Sequence, residues 1–381
     1  AGPAVGGARR DPTLTSVAVD DAFPGLDLVG AAAGTTVPGS GVIADLVAPR
    51  AADADANGVP RSTVDALAAA GLLGDQLTGQ QLRETAELLA GTDASTWFCW
   101  VQHQTPLRTL AGQAPGQVEP GSAALRADLL PDLRSGRRLA AVAFAHLRRP
   151  GPVNPVATRV DGGWVLDGTL DWVTSWDIAD VVLVMAADAA RDRVVCAYLP
   201  AGRGGQTRGL TVGEPLRLLA MAGTHTRPIR LESVRVDDDQ VGAVLDLTAW
   251  SDADARRSAD ANPAAFGIVR GALAELSAVA QARGDRAGAD LADALATECR
   301  TVRRLAYALA DDDADVPARL AARARSLDLA MRAAQSAVVI RAGAAMRAGC
   351  SAERRLREAA FLLVQAQTAA TRAASLRLLA P

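Results

Sequence analysis

Residues 163–187, GWVLDGTLDWVTSWDIADVVLVMAA, interrupt a chain that is otherwise helical in pattern. Trp164-Val165-Leu166 alternates between two faces, Asp167-Gly168 is a dipeptide that favours a two-residue turn at positive φ, and Leu170 to Thr174 alternates again. The pattern predicts a β-hairpin, and the apolar run at 181–187 predicts a third strand beside it. A sheet held between long helical stretches leaves few architectures open, because each amphipathic face must be buried against a neighbouring layer.

The flanking sequence fills in the layers. Helical spacing over 64–73 and 79–90 is followed by a helix that Thr92-Asp93 caps, with Trp97, Trp100, Val101, Gln104 and Leu107 on its inner face. A fourth helix, 122–133, completes a unit read as all-helical. Alternating runs at 139–145, 157–160, 193–199 and 229–236 extend the sheet up to the acidic turn Asp237-Asp238-Asp239. The helical period then returns over 261–283, 290–310, 316–348 and 353–379, which reads as a bundle of long helices with short links. The expected organisation is an α+β fold: a flexible segment 1–45, a helical domain 46–136, a central antiparallel β-domain 137–243 and a C-terminal four-helix bundle 244–381.

Composition narrows the chemistry. The sequence contains no lysine, which removes Schiff-base catalysis and the phosphate-loop lysine together. Cys99, Cys196, Cys299 and Cys350 form no CxxC pair and His103, His146 and His225 are scattered, so no metal site is expected. A net charge of −3 with Arg and Asp interleaved offers no basic patch for nucleic acid. No apolar run approaches the length of a membrane span, and the start AGPAVGGARRDP lacks a secretory apolar core; the expectation is no membrane and a cytoplasmic setting.

Several stretches, in order, resemble the acyl-CoA dehydrogenase superfamily. Residues 163–169 (GWVLDGT) are similar to its GGyxLnGxK segment and Trp172-Val173-Thr174-Ser175 to its W-I-T-N/S segment. Residues 219–226 (LAMAGTHT), followed by the 229–236 strand, resemble G-M-R-G-S/T-x-T with its following strand. Residues 266–273 (FGIVRGAL) resemble G-I/A-A-R-G-A-L, and Arg357-Glu358-Ala359 with Thr368 has the spacing of RDA…EGT.

The resemblance implies FAD as cofactor and a small acyl substrate. It implies Trp172 packed beside the flavin ring, Thr174 or Ser175 donating to it, and Phe144 and His146 in place of the T-E-P loop. Arg283 would reach the pyrophosphate, and Thr368 belongs to the EGT segment. It also implies a homodimer or homotetramer, or a heteromer with a related chain.

The departures from the family are as informative. Ala366 stands where the family's base is a glutamate, and the alternative base position, about ten residues before the bundle-opening glycine, is Arg257 with Asp254 and Asp260 nearby. The Gly-Ser-Asp of the T-E-P loop is missing. The catalytic group is therefore left open, with His103, His146 and Asp260 as candidates. Three functions follow: a dehydrogenase with its base absent or relocated, a flavin monooxygenase of the same fold, or a non-catalytic or flavin-free homologue or heteromer subunit.

Overall fold

The computed structural model describes residues 36–149, 151, 154–188, 190–313 and 315–380. Four helices, α1 (Ala48–Asn57), α2 (Arg61–Ala69), α3 (Gly79–Thr92) and α4 (Ala94–Leu110), precede a short strand β1 (Gln117–Pro120) and helix α5 (Ala123–Ser135). The sheet continues with β2 (Ala140–Ala143), β3 (Val156–Val160), β4 (Gly163–Val173), β5 (Val181–Asp188), β6 (Arg193–Pro200), β7 (Leu210–Val212), β8 (Arg227–Asp237) and β9 (Val241–Asp246). The C-terminal layer holds α6 (Leu247–Ser258), α7 (Pro263–Arg283), α8 (Arg286–Asp311), α9 (Val316–Arg341), α10 (Ser351–Leu362) and α11 (Ala369–Leu379).

Strand order is β1-β9-β6-β5-β3-β4-β8-β7. Pairing is antiparallel except that β2 runs parallel to β5 and β3 meets β5 in parallel at Val156 and Ala187. Helices, sheet and helical bundle thus follow one another as the α+β reading expects. The residues of 1–45 that precede Thr36 lie outside the described part.

Particular elements differ from the sequence reading. Asp167-Gly168 is a bulge inside the continuous strand β4, not a hairpin turn. The register against β8 shifts between Leu166 and Gly168, and a side chain at Gly168 (φ +138°) would meet Asn154 Oδ1 at 1.7 Å. The β3–β4 connection is Asp161-Gly162, with Gly162 at φ +68°. A dipeptide of the same type occurs at both places, and pairing with β8 decides between them. Strand β1 emerges from a stretch read as helical because it is a mostly exposed edge of four residues that carries little apolar pattern. Helix α9 stops at Arg341, where Ala342 turns to φ +52°. The last predicted helix is broken into α10 and α11 by residues 363–368, with Ala366 at φ +50°.

The N-terminal helices and the bundle share one core, closed by unusually near backbones. A Cβ at Gly267 on α7 would lie 2.3 Å from Glu87 O of α3, one at Gly271 would lie 2.3 Å from Gly91 O, and one at Gly91 would lie 2.5 Å from Gly267 O. Beside this contact the buried Glu87 accepts from Arg303 Nε (2.7 Å) and Tyr307 Oη (2.5 Å). Residues 247–283 include a window of mean hydropathy 1.3, of which 67% is buried in the protein.

Gly267→Ala is expected to destabilise the protein by about 1–3 kcal/mol, since backbone must move to admit the methyl. Gly343→Ala, whose Cβ would have nothing within 4 Å, is the control. Denaturant unfolding that scores the two alike would contradict the α3–α7 contact.

Candidate functional site

The short 3-10 turn after β2 (Ala145–Arg148), helices α4, α6 and α9, the α6–α7 link and the loop 363–368 surround a cavity of about 320 Å³. That volume falls in the range of small-molecule sites, about 300–1,000 Å³. Phe144, Met185 and Trp250 form its apolar wall, and the rings of Phe144 and Trp250 meet edge to face at 6.0 Å. Arg148 lies over Phe144, 4.9 Å from the ring centroid, and grips Asp254 of α6 with both nitrogens, at 2.7 and 2.8 Å.

The remaining wall is polar. Asn262 caps α7 by accepting from the Ala264 amide (3.0 Å), and its amide nitrogen donates to Gln365 Oε1 (3.0 Å). One side chain therefore starts the core helix and holds the loop that presents Ala366. Arg323 donates to the Asp260 carbonyl (3.0 Å) and the Gln365 carbonyl (2.9 Å), so it ties the α6–α7 link to the same loop. Asp260 Oδ1 accepts from Arg319 Nε at 2.7 Å. Ala366, Arg257, Asp254 and Asp260 all line this one cavity. Both base positions suggested by the resemblance therefore converge there, and neither carries a carboxylate; the two carboxylates present are both ion-paired.

The histidine candidates sit elsewhere. His103 Nδ1 accepts from the Ala140 amide (3.0 Å), which fixes the tautomer, so Nε2 donates to the Leu133 carbonyl (2.9 Å). Both nitrogens are committed to backbone, and burial pushes the ring's pKa down to about 4. His146, in the turn after β2, bonds the Met185 carbonyl and is likewise pushed down to about 4 by burial. Of the three sequence candidates for catalysis, only Asp260 reaches the cavity.

The residues that the resemblance assigns to a flavin are dispersed. Phe144 lines the cavity. Trp172 projects from β4 and is 50% exposed, whereas the other five tryptophans are buried at 2–5%. A bare aromatic face on a sheet fits a planar ring. The hydroxyls beside it do not supply the expected donors. Thr224 Oγ1 donates to the Met221 carbonyl, so Thr226 must donate to Thr224 and Thr174 to Thr226, which uses the Thr174 proton. Ser175 is fully buried, with its hydroxyl against the Cys99 thiol. Arg283 donates to the Ile340 carbonyl, and Thr368 caps α11 by accepting from the Thr371 amide. The fit to a flavin thus rests on the Trp172 face alone. Arg323 and Asn262 escaped the sequence reading because neither belongs to a recognisable motif.

His103 is held neutral in the fold and binds a proton near pH 6.5 when unfolded, so its stabilisation is present above that pH and is lost as pH falls through about 4. Glu358, pushed up to about 7 by burial and by the Asp93 carboxylate, works in the opposite sense. His103→Gln is therefore expected to flatten the fall in stability between pH 6.5 and 4 by about 3 kcal/mol relative to the unsubstituted protein. Denaturant titrations across that range check it, and parallel profiles for the two proteins would refute it.

No family model matches the sequence, and no curated protein is similar enough to match. Solved structures do match. The butyryl-CoA dehydrogenase of Megasphaera elsdenii aligns with a TM-score of 0.73 at 18% identity, covering 90% of this chain and 96% of that one. The glutaryl-CoA dehydrogenase of Mycobacterium smegmatis in complex with FADH2 aligns with a TM-score of 0.74 at 16% identity, covering 90% and 92%. FkbI, described as acting in biosynthesis of the methoxymalonyl extender unit of Fk520, aligns with a TM-score of 0.68 at 23% identity, covering 90% and 99%. Over nine-tenths of its length, this chain has the fold of the acyl-CoA dehydrogenases.

Proposed function

We propose that the protein is a flavin-dependent oxidoreductase that acts on a small acyl-type molecule held in the cavity between sheet and bundle. The observation that carries this reading is the convergence of Ala366, Arg257, Asp254 and Asp260 on one cavity with an aromatic wall. The similar structures named for butyryl-CoA and glutaryl-CoA dehydrogenases support the substrate class. FAD, when bound, supplies a two-electron acceptor. Trp172 offers that group an apolar face, Phe144 and Trp250 exclude water from the substrate, and Asp260 takes a proton from it. Asp260 has this role because both oxygens of Asp254 are engaged by Arg148, whereas Arg319 engages only Oδ1 of Asp260. In the same reading the chain self-associates, and Leu376 and Leu379 of α11, 60% and 69% exposed, are available for that.

A second reading, a flavin monooxygenase of the same fold, is favoured by the ion pairing of both cavity carboxylates and by alanine at 366. Such a reaction needs no proton abstraction next to a carbonyl.

Purified full-length protein is expected to show flavin absorption, and Trp172→Ala to lower the FAD-to-protein ratio at least tenfold on gel filtration, roughly the loss of one stacking contact. Anaerobic bleaching by butyryl-CoA or glutaryl-CoA that disappears in Asp260→Asn supports the dehydrogenase. Absence of bleaching with any acyl-CoA overturns it in favour of the monooxygenase. A colourless protein that takes up no FAD overturns both.

A further inference from the structure

Four arginines are buried among the described residues: Arg303, Arg319, Arg323 and Arg354. Arg303 pairs with Glu87, Arg319 with Asp260 and Asp313, and Arg354 with Glu358. Arg323, only 5% exposed, has no carboxylate within 4.0 Å among the described residues; its guanidinium bonds two backbone carbonyls and its Nε has no partner. Leaving a buried charge uncompensated costs several kcal/mol. Arg323 lines the cavity directly beside the loop that carries Ala366.

Arg257 lines the same cavity and forms no ion pair or side-chain hydrogen bond in the described structure. Asp254 is the carboxylate that acts on it, and both oxygens of Asp254 are already held by Arg148. The cavity therefore carries three guanidiniums, Arg148, Arg257 and Arg323, against the carboxylates Asp254 and Asp260. Arg148 pairs with Asp254 and Arg319 is shared between Asp260 and Asp313, so Arg257 and Arg323 have no carboxylate of their own and the three cations of the lining exceed its two carboxylates by one charge.

We propose that the acyl group bound in this cavity carries its own carboxylate, and that Arg257 and Arg323 receive it where a neutral acyl chain would leave both cations unpaired. The proposal rests on the substrate class proposed above. The two guanidiniums are then specificity-determining groups: the buried Arg323 disfavours a neutral acyl tail by the cost of an unpaired cation, and both accept a dicarboxylic one by charge-assisted hydrogen bonds, Arg257 from the solvent-exposed side. The apolar wall of Phe144, Met185 and Trp250 fits the methylenes between the two carbonyl carbons.

Calorimetric titration of the full chain, with and without added FAD, tests this with glutarate, its neutral diamide glutaramide, inorganic phosphate and CoA as probes. Glutarate is expected to bind more weakly as salt rises, glutaramide at least tenfold more weakly than glutarate, and Arg257→Gln to lower glutarate affinity by about tenfold. Arg323→Gln is expected to do the same if circular dichroism shows it folded; Arg257, on the exposed side of α6, carries the test otherwise. Equal binding of glutarate and glutaramide overturns the proposal. So does Arg257-dependent binding of phosphate and CoA without glutarate, which would assign the cations to the phosphates of CoA. A colourless protein that binds glutarate through Arg257 sinks the flavin reading and keeps this one; a yellow protein indifferent to glutarate does the reverse.

Discussion

The backbone contact between α3 and α7 sets the rest of the molecule. Gly91, Gly267 and Gly271 bring the two helices together at distances that no side chain would allow, with carbonyl oxygens where Cβ atoms would otherwise stand. Such proximity fuses the N-terminal helices and the bundle into one core, and it fixes the axis of α7. The start of α7 is the edge of the cavity: Asn262 caps the helix and also holds Gln365, so the position of the helix becomes the position of the loop that presents Ala366. The stretch FGIVRGAL was readable as a family resemblance; the structure gives its glycines a reason in packing.

Electrostatics builds on this frame with arginine alone. A guanidinium presents a planar fork that can satisfy two carbonyls or a carboxylate at once, which an ammonium cannot do with fixed geometry. Arg148 uses the fork on Asp254, and Arg323 uses it on the carbonyls of Asp260 and Gln365. Arg148 closes a charge, whereas Arg323 joins two loops and leaves its charge open. Burial pushes the Arg323 pKa down to about 10, still well above neutrality, so the cation persists. The same residue type thus serves as a structural tie and as a source of uncompensated field in a single cavity.

How far the sequence revealed this depends on whether the information was local. The order of helices, sheet and bundle was legible because period 2 and period 3.6 differ sharply over long runs. The bulge at Asp167-Gly168 was not, because a turn and a bulge call for the same residues, and only the pairing of β4 with β8 separates them. The break at 363–368 was hidden by helix-forming residues that tertiary bonds to Asn262 and Arg323 override. In the site, Ala366 was legible from one motif and Arg257, with Asp254 and Asp260, from another, and the two positions meet in space. Their ion pairing, the role of Arg323 and the consumed proton of Thr174 depend on partners far away in sequence. His103, on a buried helix face, read more readily as a hydrogen-bonded packing histidine than as a ligand contact, but its partners, the Leu133 carbonyl and the Ala140 amide, lie on other elements that the local pattern does not show.

The loop around residue 366 shows what kind of site this is. Ala366 sits at φ +50°, a conformation that costs a non-glycine residue about 1–2 kcal/mol. It persists because the loop is held from outside: Arg323 binds the Gln365 carbonyl, Asn262 binds the Gln365 side chain, Gln367 reaches back to the Leu363 carbonyl, and Thr368 begins α11. None of these bonds involves the side chain at 366. The frame that would present a group to the cavity therefore stands without one. With alanine present, position 366 adds no charge to the cavity wall, and the cation bound to the loop beside it is Arg323 of α9, through the Gln365 carbonyl.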